Sequence, residues 1–562
     1  MSKNPTSKDT FRVQSSQSAW FGFATRELQS NRKVRIRIRW GRIVAVMCIL
    51  GIGLWFAKSW ALYYFFKEVR NFEDVAFVDM IVFPANRSGV RIQQGNYQVE
   101  QAKLAMERED YRRAYGLLRE GVARSPDNIE GRRLLARIYA GWRPDLAAQL
   151  LVEGIETGKS DEDYTKLMTM LLLGQKEDAT MLELSGELLL DETLTPEVRQ
   201  ILSVARLQSA ILTGQFDIVR QLFEETDLEM TLDGVILGTQ LYTRTGQHDK
   251  AIGVLLSALK VISEDKADPL LNQLVGTYKM SEDYNRAREL ALNMVIKEPL
   301  EWSPRVQLID ILSVSEMTER RDREIANLLK EHRNDEQAMI ALAQLCADYG
   351  NVEAAARLYE IALENGYSLS LFSLTLAEAF TQAGEHQQAI DLCNELVRED
   401  PEWILTSEGS FNAIRALAYY GAGDTELGSL YLRNFIDSRR TNPNQLYQAA
   451  RRFRDADRPS EAMIVLLEAY ARDPKNEQVL AALVDVEIEL GIFFSINEHL
   501  RALFDLRRPL YAMLESIHDR LQSDRFLFTE ERNQLLSELR TIIDEQSDMD
   551  WEIWEPATEA DS

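Results

Sequence analysis

Apolar residues recur at every third or fourth position along most of the chain, and this period predicts amphipathic helices. The pattern is clearest over residues 370–403, SLFSLTLAEAFTQAGEHQQAIDLCNELVREDPEW, where two amphipathic stretches flank a short turn at Gly384-Glu385-His386. Three small or helix-ending residues in this stretch stand twelve positions apart: Ala377, Ala389 and Pro401. The stretch therefore predicts a pair of antiparallel helices joined by a tight turn.

The spacing of twelve recurs elsewhere in the chain. It links Ala102, Ala114 and Pro126, then Val275, Ala287 and Pro299, and then Ala450, Ala462 and Pro474. Neighbouring copies lie 34 residues apart, as between Ala343 and Ala377. Two helices approach closely where a small residue faces a large one, and a proline ends the second helix. Because a single pair cannot bury its apolar face alone, the copies must stack against one another.

These alanines, prolines and the period of 34 residues resemble the tetratricopeptide repeat family over roughly residues 95–510. The best matching units are 95–128, 232–265, 268–301, 336–369, 370–403 and 443–476. Looser units lie near 129–161, 200–233, 409–442 and 477–510. Residues 162–197 and 302–335 lack the paired small residues, so we expect degenerate repeats or a local break there. The resemblance implies an all-α fold, an α-solenoid in which about a dozen helix pairs form a right-handed superhelix.

In this family the first helix of each pair lines the inner face of the superhelix, which receives extended peptides or partner helices. The resemblance carries over to two units, at Gln337, Ile340, Gln344, Ala347 and Asp348, and at Leu371, Leu374, Glu378, Thr381 and Gln382. Some members grip a peptide carboxylate with Lys and Asn at such positions, and this set is missing here. A mixed apolar and acidic groove favours a basic or amphipathic segment as its ligand.

The amino terminus carries a different pattern. Residues 1–42 combine a Ser/Gln-rich stretch over 1–30, expected to be disordered, with a basic cluster from Arg32 to Arg42. The apolar run over 43–66 is long enough to cross a membrane, with Lys58 near its far end. Because Lys and Arg mark the cytoplasmic flank, the rest of the chain is expected outside, in the periplasm of a bacterium. A cleaved signal peptide and a buried core helix are the alternatives.

Three further segments complete the predicted organisation. Residues 67–94 form a connector with a short β-like tendency over Val75–Phe83, either capping the first repeat or linking it to the membrane. Residues 511–546 are expected to form capping helices, with Leu514, Leu535, Leu536 and Leu539 on one side. The acidic tail over 547–562 is expected to be disordered, although Trp551 and Trp554 also suit a docking peptide.

Charge limits the classes of partner. The net charge of the whole chain is −25, while residues 1–42 carry +8, which leaves −33 for the remainder. Nucleic-acid backbones and anionic lipid surfaces bind concentrated Lys and Arg, so neither is expected as the main ligand of this remainder. An apolar content of 45% excludes global disorder.

Candidate chemistry is sparse. The five histidines are scattered without the spacing of a metal site, and no nucleophile elbow or dinucleotide-binding motif is present. Residues 154–160, GIETGKS, resemble a phosphate-binding loop, but the first glycine is one residue too near and no strand precedes it. Cys346 and Cys393 lie on apolar helix faces, so we expect buried free thiols. The sequence thus predicts no catalytic residue, metal or cofactor, and no enzyme.

These observations favour a membrane-anchored scaffold for protein–protein interactions on the extracytoplasmic side. An envelope assembly factor or chaperone, which binds many secreted clients in the same groove, is the alternative. An enzyme built on the helical array is a third hypothesis, and no motif supports it.

Overall fold

The computed structural model describes residues 13–29, 34–69, 72, 75–83, 86–155, 161–263, 266–399, 408–528 and 531–547. The chain divides into two compact units, Met1–Leu171 and Leu172–Ser562, and each is taken in turn below. Twenty-eight α-helices lie within the described residues. The prediction of an all-α solenoid fold is confirmed, with one small sheet as an exception.

That sheet corrects the expectation of a disordered amino terminus. Strands β1 (Val13–Ala19), β2 (Ala24–Gln29) and β3 (Val34–Ile38) form an antiparallel sheet in the order β1-β2-β3. Ala24 pairs with Ala19 on one side and with Ile38 on the other. The sequence VRIRI alternates apolar and basic residues, which is the pattern of a strand. The same arginines also fit the basic flank of a membrane span, and the segment was interpreted as such a flank.

Helix α1 (Trp40–Tyr64) follows the sheet and continues as a π-helical turn over Phe65–Val69. By length and composition, Trp40–Val69 is the one helix among the described residues that could cross a membrane. Only 6% of its most apolar stretch is buried, unlike the core helix of a soluble protein. An amino-terminal signal sequence passes the same test of length and composition.

The connector is helical and packed. Helix α2 (Phe77–Ile81) forms where a β-like tendency was expected, and the first repeat helix begins at Arg87, eight residues before the predicted start of the array at Gly95. Phe72 and Met80 are buried together, against side chains from the end of α1 and from the first repeat helix. Because aromatic packing holds this segment on both sides, the connector contacts the apolar helix and the first repeat at once.

The remaining helices of the first unit follow one another as repeat helices: α3 (Arg87–Glu107), α4 (Tyr111–Arg124), α5 (Ile129–Ala140), α6 (Pro144–Ile155) and α7 (Glu162–Gly174), whose last turn belongs to the second unit. Ala102 and Ala114, predicted at the crossing of α3 and α4, are both fully buried.

The second unit is built from the helices α8 (Asp178–Leu188), α9 (Pro196–Thr213), α10 (Phe216–Glu225), α11 (Leu232–Arg244), α12 (His248–Val261), α13 (Asp268–Met280), α14 (Tyr284–Lys297), α15 (Ser303–Val314), α16 (Thr318–Glu331), α17 (Glu336–Asp348), α18 (Val352–Asn365), α19 (Leu369–Gln382), α20 (His386–Glu399), α21 (Glu408–Gly421), α22 (Thr425–Asp437), α23 (Pro443–Asp455), α24 (Pro459–Arg472), α25 (Glu477–Leu490), α26 (Ile496–Leu506), α27 (Tyr511–Leu521) and α28 (Arg532–Ser547). The irregular segment 302–335 forms a helix pair, α15 with α16, and the irregular segment 162–197 contains the two helices α7 and α8. Helices α27 and α28 stand where capping helices were expected.

The small residues expected at the helix crossings are buried. Ala377 and Ala389 are 1% and 0% exposed, and the turn between their helices contains Gly384 at φ +78°. Glu282 adopts the same left-handed conformation at the corresponding turn of another unit. Pro401 lies outside the described residues. The repeat is therefore specified by side-chain size at the crossing and by backbone conformation at the turn.

The apolar cores follow the order of the helices. One cluster joins α11 to α15, another joins α15 to α19, and a third joins α21 to α26. Leu514, Leu535 and Leu539 from the last two helices share a core with Val484 of α25. Each helix is therefore stabilised mainly by its neighbours in sequence, as in other stacked repeats.

Candidate functional site

The concave side of the second unit is identified by an ion pair between distant helices. Asp348 on α17 and Arg452 on α23 are 104 positions apart, yet the carboxylate lies 3.7 Å from the guanidinium. Both belong to the first helix of their pair, and two complete pairs separate them along the chain. The first helices therefore line the inside of a tight curve, as the resemblance implies.

A cavity of about 220 Å³ lies on this inner side. Residues of α15, α17, α19, α21 and α23 line it, together with His386 at the start of α20. Its charged lining residues are Asp310, Asp348, Glu378, Asp455, Arg451 and Arg452. Four carboxylates and two guanidinium groups line the cavity, and Lys279 pairs with Asp310 from outside the lining, so the cavity keeps a small excess of negative charge and favours a cation.

The structure brings part of the predicted groove together. Asp348, Glu378, Thr381 and Gln382 line the cavity, and so does Ala347. Gln337 and Gln344 are exposed on α17, outside the cavity lining, and Leu371 is half-buried on α19. The last two predicted groove residues, Ile340 and Leu374, are half-buried and pack against apolar cores.

Glu378 is the most enclosed carboxylate of this cavity. Its side chain is 18% exposed and forms an ion pair with Arg452, which also pairs with Asp348. Burial raises the pKa of the Glu378 carboxyl, and the Arg452 guanidinium offsets only part of this effect. Arg452 on α23 thus links to α17 and α19 through its ion pairs with Asp348 and Glu378. The side chain of Asp348 is nevertheless 65% exposed to solvent.

Four charged residues of the cavity were not predicted. Arg451, Arg452 and Asp455 come from the unit 443–476, and Asp310 comes from the irregular unit 302–335. Asp310 accepts a hydrogen bond of 2.8 Å from the Tyr349 hydroxyl and forms an ion pair with Lys279. Burial, and then the Asp310 hydrogen bond, raise the pKa of Tyr349. Arg451 occupies the ninth position of its unit, like Glu378, so the period itself was the signal that could have identified it.

His386 is packed rather than poised for chemistry. Its Nδ1 atom is buried with no hydrogen-bond partner in the described part of the chain, and burial lowers its pKa. The ring fills the space beside Gly421, where an added Cβ would lie 2.3 Å from the ring. This placement indicates a structural role for His386 at the turn.

Two observations on the described residues concern catalysis. They contain no group of three His, Cys, Asp or Glu side chains that could hold a metal ion. A cavity of about 220 Å³ is smaller than typical small-molecule sites, which hold about 300–1,000 Å³. It can accommodate a side chain of a bound protein segment. The end of the phosphate-loop-like sequence, at residues 156–160, and both tail tryptophans, Trp551 and Trp554, lie outside the described residues.

The predicted thiols are buried. Cys346 and Cys393 are free and at most 2% exposed, while Cys48 is exposed on α1. Burial raises the pKa of each buried thiol to about 12. A thiol held protonated in this way is a poor nucleophile, so neither cysteine is suited to covalent catalysis.

Comparison with known proteins identifies the repeat. Residues 325–402 match the tetratricopeptide repeat family, which confirms the resemblance seen in the sequence. No curated protein matches the chain. Repeats of this family form a surface suited to protein–protein interaction.

Solved structures give distant likenesses. A tetratricopeptide repeat protein from Parabacteroides merdae is 15% identical, covers 45% of this chain and 97% of its own, and has a TM-score of 0.29. The structure of Naa15/Naa10 bound to HypK-THB is 12% identical, with coverages of 88% and 80% and a TM-score of 0.28. The APC/C hetero-tetramer Cut9-Hcn1 is 13% identical, with coverages of 82% and 99% and a TM-score of 0.24. Likenesses at these TM-scores carry no inference about function.

Proposed function

We propose that this chain of tetratricopeptide repeats is a membrane-anchored scaffold that holds a basic or amphipathic segment of a partner protein in its concave groove. The observation that carries the proposal is the cavity on the inner side of the curve, where carboxylates outnumber guanidinium groups by four to two. Its volume suits an inserted side chain rather than a cofactor. The partner thus docks an extended segment or a helix along the first helices of the repeats.

The charges indicate how the segment is recognised. Arg452 forms a close ion pair with Glu378 and a longer one, of 3.7 Å, with the exposed Asp348, while Asp455 is exposed at the cavity and has no ion pair among the described residues. A lysine or arginine of the partner would therefore bind between Asp348 and Asp455. Arg451, hydrogen-bonded to Gln448 at 3.4 Å, lies beside them and selects against additional positive charge on one side. This pattern favours an isolated basic residue within an apolar segment over a run of basic residues.

Charge reversal in the groove tests the proposal. The double substitution Asp348→Lys and Asp455→Lys should weaken the Kd for a labelled amphipathic basic peptide by at least about tenfold, or about 1.4 kcal/mol. The reason is that two like charges then face the incoming cation. Fluorescence anisotropy on the full chain in detergent measures the Kd directly.

The matched control changes the same net charge elsewhere. Glu289 and Glu395 are exposed on α14 and α20, the second helices of their pairs, so Glu289→Lys with Glu395→Lys raises the net charge equally. This control should leave the Kd within about twofold, since exposed charges beyond about 10 Å are largely screened at 0.1 M salt. An equal loss in both variants, or no loss in the groove variant, contradicts a groove site.

The membrane anchor is the second part of the proposal. An exposed apolar helix over Trp40–Val69 follows a segment rich in Lys and Arg, which supports a span with its amino terminus in the cytoplasm. The repeats then lie on the extracytoplasmic side, in the periplasm of a bacterium. The two thiols at risk of oxidation there are buried within helix pairs.

Fusions of alkaline phosphatase test this topology, because the enzyme is active only outside the cytoplasm. We expect activity for a fusion after residue 95 and none for a fusion after residue 30. Alkaline carbonate washing of the full chain separates an anchor from a cleaved signal peptide, because an uncleaved span stays in the membrane pellet. An inactive fusion after residue 95 contradicts the orientation, and release into the supernatant contradicts the anchor.

A further inference from the structure

In the second unit, residues of α8 to α11 and the turns beside them contact residues before α25, at its start and after α26. Glu177, before α8, accepts an ion pair of 2.7 Å from Lys475, which lies 298 positions later in the chain. Lys176 donates to the Lys475 carbonyl from the same turn. The row of stacked helices therefore brings its two ends together at the α7–α8 and α24–α25 turns.

Four further pairs of residues join the same ends. Arg507, after α26, donates to both carboxylate oxygens of Asp178, at 2.8 and 3.3 Å. Arg244, at the end of α11, donates to Glu477 at 3.1 Å and also to the Arg508 carbonyl. The Arg508 amide in turn donates to the Leu212 carbonyl at 2.7 Å. We call this set of ion pairs and hydrogen bonds the clasp.

The clasp is mainly polar, although the Tyr511 ring at the start of α27 also lies against Gly246 after α11, whereas the contacts between successive helices are apolar. Among the described residues, each apolar core joins helices that follow one another in sequence, and none joins α8–α12 to α24–α28. Its side chains differ in exposure, from 3% for Asp178 to 53% for Lys475. Ionic contacts at partly exposed positions weaken as salt concentration rises, while apolar cores do not.

The residues of the clasp are not required by the repeat. They stand at helix ends and turns, away from the small residues expected at the helix crossings. Opening the clasp thus breaks ion pairs, hydrogen bonds and the contact of the Tyr511 ring with Gly246, and leaves intact the apolar cores formed by the described residues of α8–α11, α11–α15 and α21–α28. Opening and closing can occur without unfolding, as a hinge movement distributed over many helix pairs.

We propose that the clasp is a reversible ionic lock that controls entry of partner segments into the concave groove. A free peptide can enter a closed ring end first, whereas a segment joined at both ends to folded domains enters only when the lock opens. The first part, reversible opening, stands by itself. The second part, control of entry, rests on the groove function proposed above.

A charge-swap experiment tests the lock without changing net charge. One variant combines Glu177→Lys with Arg244→Glu, a second combines Lys475→Glu with Glu477→Arg, and a third carries all four. Each double variant places like charges opposite each other, while the quadruple variant restores both ion pairs in reverse. Swapping Arg501 and Glu531, an ion pair of 2.8 Å between neighbouring repeat and cap elements, is the control.

Distances are measured by pulsed electron paramagnetic resonance between spin labels on the exposed positions Gln215 and Asp505, in the full chain in detergent. Labels are attached to Gln215→Cys and Asp505→Cys with Cys48→Ser, and the buried Cys346 and Cys393 stay unlabelled. We expect longer distances in both double variants and in wild-type protein at 1 M salt, where the Debye length is about 3 Å. The quadruple variant and the control should keep the short distance. An unchanged distance in both double variants and at high salt overturns the lock, as does a quadruple variant that stays long.

Binding then tests the control of entry. If the closed form exceeds the open form by about ten to one, opening should tighten the apparent Kd of a basic segment placed between two folded domains by about tenfold, and leave the free peptide unchanged. If the label distances lengthen but the Kd of the two-domain probe does not change, control of entry is contradicted, while reversible opening of the lock is still supported. Failure of both probes to bind any variant overturns the groove function instead.

Discussion

Replacing Phe453 by alanine should lower the free energy of unfolding by about 3–5 kcal/mol, the usual cost of removing a buried phenyl ring. Phe453 is fully buried on α23, in the core shared by α21 to α26, and its ring meets the Tyr420 ring edge-on at 6.2 Å between centroids. The deletion removes these contacts and leaves a cavity that close-packed helices cannot fill. Urea denaturation of the full chain measures the change.

The loss should be regional, because each core joins only helices that are neighbours in sequence. Hydrogen exchange should accelerate over α21–α26 and stay unchanged over α11–α15. Phe494→Ala is the matched control, since the Phe494 side chain is 84% exposed, and it should cost less than about 0.5 kcal/mol. Uniform acceleration across the whole second unit would contradict the picture of separate neighbouring cores.

Ala389→Leu should cost about 1–3 kcal/mol, because it forces three extra carbon atoms into a crossing that is already packed. Ala389 is fully buried on α20 and shares a small core with Ile390 and Ala418. The adjacent residue Gln388 is exposed on the same helix, so Gln388→Leu introduces the same side chain without the crowding. Thermal unfolding should show a lower Tm for the first variant and a nearly unchanged Tm for the second. Equal melting temperatures would show that the crossing has room for a larger residue.

Helix pairs could be predicted from the sequence because their determinants are local. Ala377 and Ala389 set the closest approach of one pair, and the stretch that contains them carries the helical period and a turn glycine. These features repeat every 34 residues, so one well-preserved copy was enough to find others. The irregular segment 302–335 forms a pair as well, since apolar faces on its neighbours must be covered even where the small residues are missing.

Curvature could not be predicted in the same way. The angle between successive pairs depends on small differences in packing that accumulate along the array, and no single residue encodes the sum. Asp348 and Arg452 meet across two intervening pairs, so Arg452 could not be assigned to the cavity before the curve was known. Gln337 shows the reverse case, because it has the expected position on its helix and lies outside the cavity lining.

The amino-terminal sheet and the clasp could not be predicted from the sequence, for two other reasons. Apolar and basic residues alternate over Val34–Ile38, as in a strand. Because the arginines equally fit the flank of a membrane span, the sequence supports both interpretations. Lys475 and Glu177 are ordinary surface residues whose pairing depends on the position of helices 298 residues away. Long-range polar contacts of this kind leave no periodic signal in a single sequence.

The two buried cysteines allow local opening of the helix pairs to be measured in the native chain. Cys346 lies on α17 and Cys393 on α20, in two successive pairs on either side of Asp348 and Glu378. Each thiol reacts with an alkylating reagent only when its pair transiently separates, because burial holds it protonated and inaccessible. The rate of alkylation at each cysteine therefore measures how often that part of the groove opens, with no label added. A bound segment that bridges the two pairs should slow both rates together, by the same factor at each thiol.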